Sequence, residues 1–490
     1  MKLIVKLMVV LVLLLAGCAA VPEAGPDWKP CGVPIPAAVL EDLDAARAKA
    51  VRERECTTVE APLDHADPSG RTIELAVTRI RSADPDRRIG SLVYNPGGPG
   101  ASGLDLVSGM VARYQALLGR YDLVSWDPRG ADSSTPLSCG PDSGDNSATA
   151  MPTTDAQWAA LGVAAEAFAT ACAKSELLPH LGLFDSARDL DLVRQAVGDD
   201  KLHYLGVSYG GQLGAAYAEL FPDRVGRVVL DAPGSPTRTY RQTLLDQAAG
   251  SELGFRQLVT RCLGSKPCAL GASYGDALMK LDAFLARLDR RPLPTGRGTP
   301  LTRGGAVGAL TIGFSDPPLW DTLTRALASA YAGRPDALQA FGDVFTGRRP
   351  DGSHSNFGLL NSAVNCLDYP DRITVESVRA AMPEFARVSP RFGPISGLLM
   401  LTCAGWPHPG AGRERPIVGR GAAPVLVIGN TGDPLGRYTW ARELAAGLDS
   451  GVLLTWRGQG HGAYGGLNAC VDDRVADYLL TEKPLVGAAC

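Results

Sequence analysis

Short apolar runs, each ending in glycine, proline or aspartate, recur through the first half of the chain and again near its end. Residues 72–80 alternate apolar and polar side chains, the two-residue period of a half-exposed strand. Residues 91–94, 121–126, 202–207, 228–230, 424–429 and 452–456 are nearly continuous apolar runs with many β-branched and aromatic side chains. Runs of that kind predict strands buried on both faces, as in a parallel sheet. Helical patterns lie between them. A charged helix is expected over 37–54. Another, capped by Asp185 or Ser186, runs through Leu190, Val193 and Ala196 and stops at Gly198. A third follows residue 208 with Leu213, Ala215, Ala216 and Ala218 on one side, and a fourth lies near 440–448. Residues 140–157, rich in Ser, Thr, Asp and Gly, read as a surface loop. From 235 to 414 the rhythm changes. Strand signals are scarce, and Leu278, Leu281, Phe284, Leu285 and Leu288 keep helical spacing between Gly/Pro interruptions. The expected architecture is α/β: a mostly parallel sheet covered on both faces, with a large helical cap inserted between two strands. The core is then residues 37–234 and 415–490, and the cap is residues 235–414.

Composition adds constraints at the N-terminus and among the cysteines. Of the 490 residues 45% are hydrophobic and 20% charged, which is ordinary for a globular chain. A net charge of −4 gives no basic footprint, so no nucleic-acid partner is expected. Lys2 and Lys6 precede or enter an apolar stretch that runs to Leu15, the pattern of a signal peptide and too short for a comfortable span. It ends in Leu15-Ala16-Gly17-Cys18, which resembles the lipobox of bacterial lipoproteins. That resemblance implies removal of residues 1–17 and a lipid on Cys18. Residues 18–36 then form a tether at the outer face of a bacterial cytoplasmic membrane. The alternative is ordinary secretory cleavage nearby, with Cys18 incidental. Eleven cysteines less Cys18 leave ten, an even set that reads as disulfides in an exported protein. Proximity along the chain suggests Cys31–Cys56, Cys139–Cys172, Cys262–Cys268, Cys366–Cys403 and Cys470–Cys490. Neither Cys-x-x-Cys nor His-Glu-x-x-His occurs, and no metal or cofactor is expected.

The stretch around which the chain is organised is Gly206-Val207-Ser208-Tyr209-Gly210, set between a predicted strand and a predicted helix. A serine on such a turn stands above the sheet edge with the next amide beside it. A second Gly-x-Ser-x-Gly, residues 271–275, has no strand before it, and Ser273 reads as a helix-entry residue. Two later strand ends supply the partners a serine nucleophile needs. Asp433 follows the strand at 424–429 and His461 follows the strand at 452–456. An imidazole takes the hydroxyl proton, and a carboxylate holds the imidazole in the right tautomer. His65, His180, His203, His354 and His408 lack the combination of a late strand and a Gly-rich loop. For the acid, Asp231 and Asp127 also end strands and stay open as alternatives to Asp433. An oxyanion hole would combine the Tyr209 N–H with a donor from Asn95-Pro96-Gly97-Gly98-Pro99-Gly100. The prolines have no N–H, so Asn95, Gly97, Gly98 and Gly100 remain.

Together with Asp127-Pro128-Arg129-Gly130, Ala187-Arg188-Asp189-Leu190-Asp191, Gly432-Asp433-Pro434 and Gly460-His461-Gly462, these residues resemble a family. It is that of the secreted serine aminopeptidases of the α/β-hydrolase superfamily, the prolyl iminopeptidase group. Within it the chain looks most similar to actinobacterial tripeptidyl aminopeptidases and related mycobacterial lipoproteins. The resemblance covers most of the mature chain. It implies that Gly98 is the loop donor of the oxyanion hole and that residues from about 390 onward form the family's C-terminal module. Asn95 stands where prolyl iminopeptidases usually have His. It also implies a cap carboxylate for the α-ammonium of a peptide. Ala363-Val364-Asn365-Cys366-Leu367-Asp368 resembles a family cap motif and makes Asp368 the candidate, the alternative being a loop cap or surface carboxylate. Trp320 and Trp406 either line the pocket or pack. The implied activity is release of short units from free peptide N-termini through an acyl-enzyme; the sequence does not reveal the oligomeric state, and a monomer is the favoured expectation. A carboxylesterase or lipase using the same triad is the alternative enzyme. A binding or scaffold lipoprotein with a vestigial site is the alternative outside enzymes, and the intact constellation argues against it.

Overall fold

A computed structural model describes residues 26–32, 35–140, 151–265, 267–349, 351–408, 415–481 and 487–490. Ten strands form a single sheet: β1 (Lys29–Pro30), β2 (Glu55–Pro62), β3 (Thr72–Ile80), β4 (Gly90–Asn95), β5 (Tyr121–Trp126), β6 (Leu202–Val207), β7 (Val225–Asp231), β8 (Val425–Gly432), β9 (Gly451–Gln459) and β10 (Ala488–Ala489). Their order is β1-β2-β3-β5-β4-β6-β7-β8-β9-β10. The pairs from β5 onward are parallel, while β1, β2, β3 and β5 pair antiparallel at one edge.

Side-chain alternation explains why the central strands read as unbroken apolar runs. On β8, Val425 and Val427 join one buried cluster and Leu426 and Ile428 the other. On β7, Val228 and Leu230 face one way and Val229 the other. Helices pack on both faces, so successive residues point into two separate cores rather than into core and water. Between β7 and β8 no strand forms among the described residues. Helices fill this stretch, from Tyr240–Gly264 through Phe357–Asp368 to Gly393–Leu398. Among the described residues no helix is long and apolar enough to cross a membrane.

The expected strands at 72–80 and 121–126 have the observed bounds, and Ser273 caps the helix Tyr274–Arg290 by accepting from the Asp276 N–H at 3.1 Å. Other expectations are corrected. The helix over 37–54 is two pieces, Ala37–Glu41 and Ala45–Arg52, because the Asp44 side chain caps the second by accepting from the Arg47 N–H. The helix expected to start at Asp185 or Ser186 begins at Leu183 after Gly182. The loop at 140–157 ends early, since Thr154 and Gln157 close a capping box that starts the helix Asp155–Cys172. Part of the tether is in the sheet: Lys29 and Pro30 pair with Cys56 and Glu55. All five disulfides join the cysteines expected, Cys31–Cys56, Cys139–Cys172, Cys262–Cys268, Cys366–Cys403 and Cys470–Cys490. Cys18 lies outside the described residues.

One buried ion pair joins two of the sequence motifs. Arg129, just past β5, donates from Nε and Nη2 to the two carboxylate oxygens of Asp189, each at 2.6 Å, and both side chains are fully buried. The remaining guanidinium donors reach the carbonyls of Pro62, Leu63 and His180. The pair therefore ties the β2–β3 turn, the β5 end and the helix Leu183–Ala196 together. Removing one member leaves an uncompensated buried charge, which typically costs about 3–5 kcal/mol. Arg129→Met should lower the unfolding free energy from urea titration by that order, and adding Asp189→Leu should recover part of the loss.

Candidate active site

Four parallel strands, β6 to β9, lie side by side, and each ends in a residue singled out above: Ser208, Asp231, Asp433 and His461. Ser208 sits between β6 and the helix Tyr209–Leu220 with φ 59° and ψ −122°, in the left-handed region that non-glycine residues avoid. Its N–H donates to the Asp231 carbonyl at 2.9 Å. The turn is tight enough that a Cβ on Gly210 would lie 2.4 Å from the Asn95 carbonyl oxygen. The Asn95–Gly100 loop presses on the serine from the other side. A Cβ on Gly97 would meet the Val207 carbonyl oxygen at 2.4 Å, and Ser208 Cβ and Tyr209 N at 3.0 Å. Gly98 and Tyr209, the two expected oxyanion donors, both border the cavity that opens onto Ser208.

Asp433 and His461 meet directly. His461 Nδ1 lies 3.0 Å and 2.9 Å from the two Asp433 carboxylate oxygens. Asp433 is buried, and one oxygen also accepts from the Leu435 and Gly436 N–H groups at 2.8 Å. Those donors fix the carboxylate before the ring arrives. The His461 backbone N–H donates to Ser315 at 2.7 Å, and the Gly460 carbonyl accepts from Asn430 Nδ2 at 2.6 Å. Burial alone would lower the imidazole pKa, but the charge and hydrogen bond of Asp433, with the charge of Asp231, raise it above 6.5.

Asp231 occupies a place beside the triad rather than the acid's position in it. Its carboxylate accepts from the Ala463 and Tyr464 N–H groups at 2.9 Å each, two and three residues after His461, while the intervening Gly462 N–H donates to Asp433 at 3.4 Å. Burial pushes its pKa up to about 6. Asp127 lies elsewhere, accepting from Ser102 Oγ at 2.8 Å and from the Leu104 and Ser133 N–H groups at 3.1 Å. The structure makes no hydrogen bond between Ser208 Oγ and His461 among the described residues. Catalytic hydrogen bonds are often long without substrate and tighten when it binds.

The cavity beside Ser208 holds about 60 Å³ and is lined on the cap side by Thr243, Gln247, Asn365 and Tyr369, and on the core side by Gln212 and Trp440. Trp440 was legible in sequence only as a helix residue. Trp320 and Trp406 are buried away from the cavity. The indole of Trp320 donates to Phe314, and Trp406 packs on Phe168. Asp368, on the cap helix Phe357–Asp368, is also buried. One carboxylate oxygen accepts from the Leu183 N–H and the other from the Tyr209 hydroxyl, each at 2.8 Å.

This arrangement can pass a proton from a serine hydroxyl to an imidazole while a carboxylate stabilises the cation. To accept that proton the imidazole must be neutral. Its raised pKa keeps it protonated to higher pH, so the acid limb of kcat/KM on p-nitrophenyl acetate should have its midpoint above 6.5. Asp433→Asn should lower kcat on the same ester by ~10⁴, because the ring then loses its tautomer control.

Comparison with known proteins agrees with this geometry. Residues 90–284 match the family described as alpha/beta hydrolase fold, and residues 389–490 match that described as TAP-like protein. The serine protease Hip1 of Mycobacterium tuberculosis is 33% identical over 461 residues, covering 89% of this chain and 87% of that protein. Tripeptidyl aminopeptidase of Streptomyces lividans is 33% identical, covering 94% and 85%. Carboxylesterase B of Mycobacterium tuberculosis is 32% identical, covering 88% and 85%. The TAP-like match begins at Ser389, ahead of the expected core boundary at 415 and close to the position of about 390 that the motifs implied. With strands, elbow, acid and histidine in this order, the chain belongs to the α/β-hydrolase family, among the serine hydrolases that carry a TAP-like C-terminal part.

Proposed function

We propose that this protein is a serine exopeptidase that removes short units from free peptide N-termini through an acyl-enzyme. Ser208 attacks the carbonyl, His461 takes and returns the proton, Asp433 orients the ring, and the N–H groups of Gly98 and Tyr209 receive the oxyanion. The observation that carries the reading is the roof over the nucleophile. The cap helices Tyr240–Gly264 and Phe357–Asp368 supply Thr243, Gln247, Asn365 and Tyr369 to a cavity of about 60 Å³. A pocket covered on the cap side suits a chain end better than the middle of a polypeptide. Hip1, a serine protease, and the Streptomyces tripeptidyl aminopeptidase point the same way.

One observation favours carboxylesterase activity as the second reading: none of the residues lining the cavity is charged. A peptide ammonium in it would rest on neutral oxygens such as those of Gln247 and Asn365. Asp368 does not line the cavity, and its two oxygens already accept from the Leu183 N–H and the Tyr209 hydroxyl. The relation to carboxylesterase B fits this second reading. We place the enzyme outside the cytoplasmic membrane of a bacterium, lipid-anchored through Cys18. The support is the charged start, the apolar run and Leu15-Ala16-Gly17-Cys18.

The test is mass-spectrometric profiling of a peptide library digested by the chain lacking residues 1–18. Short N-terminal products from free but not N-acetylated peptides are expected, and Ser208→Ala should cut kcat by ~10⁶. Turnover of p-nitrophenyl esters with no peptide cleaved would establish the esterase instead.

A further inference from the structure

Both expected donors of the oxyanion hole are in contact with one element of the cap, the helix Phe357–Asp368. At its C-terminal end, the Asp368 carboxylate accepts from the Tyr209 hydroxyl at 2.8 Å, and its other oxygen is held by the Leu183 N–H at 2.8 Å. Two turns earlier, Asn361 Nδ2 donates to the Pro99 carbonyl at 3.0 Å, beside Gly98. A Cβ on Gly98 would lie 3.1 Å from the Phe357 ring, and one on Gly100 would lie 2.8 Å from Leu360. The same helix is fixed to the following cap segment by Cys366–Cys403.

We propose that this helix sets the spacing of the oxyanion hole, with Asp368 and Asn361 as positioning residues. Asp368 acts through the Tyr209 ring on the Tyr209 N–H, and Asn361 acts through the Pro99 carbonyl on the Gly98 N–H. The physical reason is the tolerance of such a hole. Its donors must lie 2.7–3.1 Å from an oxygen that exists only in the transition state. A loop rich in glycine on one side and a strained elbow on the other hold that tolerance only if something braces both. The brace is anionic at one end only, and that carboxylate is buried with its donors in place. Its expected work is therefore on the protein, whatever the substrate carries. The proposal rests on Ser208 being the nucleophile and not on the substrate being a peptide.

The experiment compares Asp368→Asn, Tyr209→Phe and the double variant on two substrates: p-nitrophenyl acetate, which has no amine, and a free N-terminal tripeptide anilide. Each single variant should lower kcat by about tenfold or more on the ester with KM nearly unchanged, the scale expected when a reacting group is misplaced. The double variant should lose no more than the more damaging single one, because both changes weaken the same Tyr209–Asp368 link. Asn361→Ala should lower kcat on the ester in the same way. Thermal melts identify a variant that fails to fold. Tyr209→Phe, which keeps the Asp368–Leu183 bond, then carries the test alone. Wild-type ester turnover in Asp368→Asn with loss confined to the free-amine substrate would overturn the proposal and make Asp368 a substrate-binding residue. Effects of Asp368→Asn and Tyr209→Phe that multiply would overturn it too. If the wild-type protein cleaves no peptide at all, the exopeptidase reading fails while the ester comparison still decides this one.

Discussion

Everything at this site depends on bringing a loop back across the sheet. Ser208 follows β6 and His461 follows β9, three strand spacings away, or about 14 Å at the usual separation. No histidine side chain spans that distance from its own strand end, so the segment after β9 must turn inward over β8 and β7. Two buried carboxylates make it do so. Asp433, at the end of β8, takes the imidazole and the Gly462 N–H, and Asp231, at the end of β7, takes the N–H groups of Ala463 and Tyr464. Asp231 also gives its own carbonyl to the Ser208 N–H, so one residue touches both ends of the constellation through its backbone and its side chain. The cost of burying it shows in its raised pKa. That cost is accepted because two peptide N–H groups would otherwise be left unpaired in the same dry interior.

The cap is part of this construction as much as a cover over it. Ser315, at the end of the helix Arg303–Phe314, accepts the His461 backbone N–H, and Pro317 lies where a Cβ on Gly460 would fall. The helix Phe357–Asp368 meets the oxyanion loop and the first residue of the elbow helix. Arg349 bridges Asp105 and Asp132 on the core, and Asn356 reaches the carbonyls of Gly130 and Leu137. A sheet with bare loops would hold the serine alone. His461, Tyr209 and the loop that carries Gly98 take part of their placement from residues inserted between β7 and β8.

Much of this was legible in the chain, for definite reasons. β3 and β5 have the bounds read from their patterns, since one alternates and the other is buried on both faces. Ser208, Asp433 and His461 stood out because each ends an apolar run in a glycine-rich turn, and the chain order of the three is distinctive. What escaped has no local signal. β1 and β10 are two residues long, too short to show a period, and β2 carries Glu55, Thr57, Thr58 and Glu60 at a half-exposed edge. The split in the first helix turned on a single cap at Asp44. The bond between Asp368 and Tyr209 joins residues 159 positions apart, and nothing in either neighbourhood announces the other. Sequence marked Asp231 as an acid at a strand end; only the structure gives it a loop to anchor.

The five disulfides have a property that none of them has singly. From Cys31 onward the ten cysteines are bonded in five consecutive pairs, and the separations run from 6 to 37 residues. No bridge straddles another, and none links the helical insertion to the sheet. A polypeptide emerging N-terminus first into an oxidising space would therefore reach its native pairing by joining each new thiol to the one just before it. Both bridges of the helical insertion, Cys262–Cys268 and Cys366–Cys403, close within it, so its pairing calls on no thiol from the last strands of the sheet.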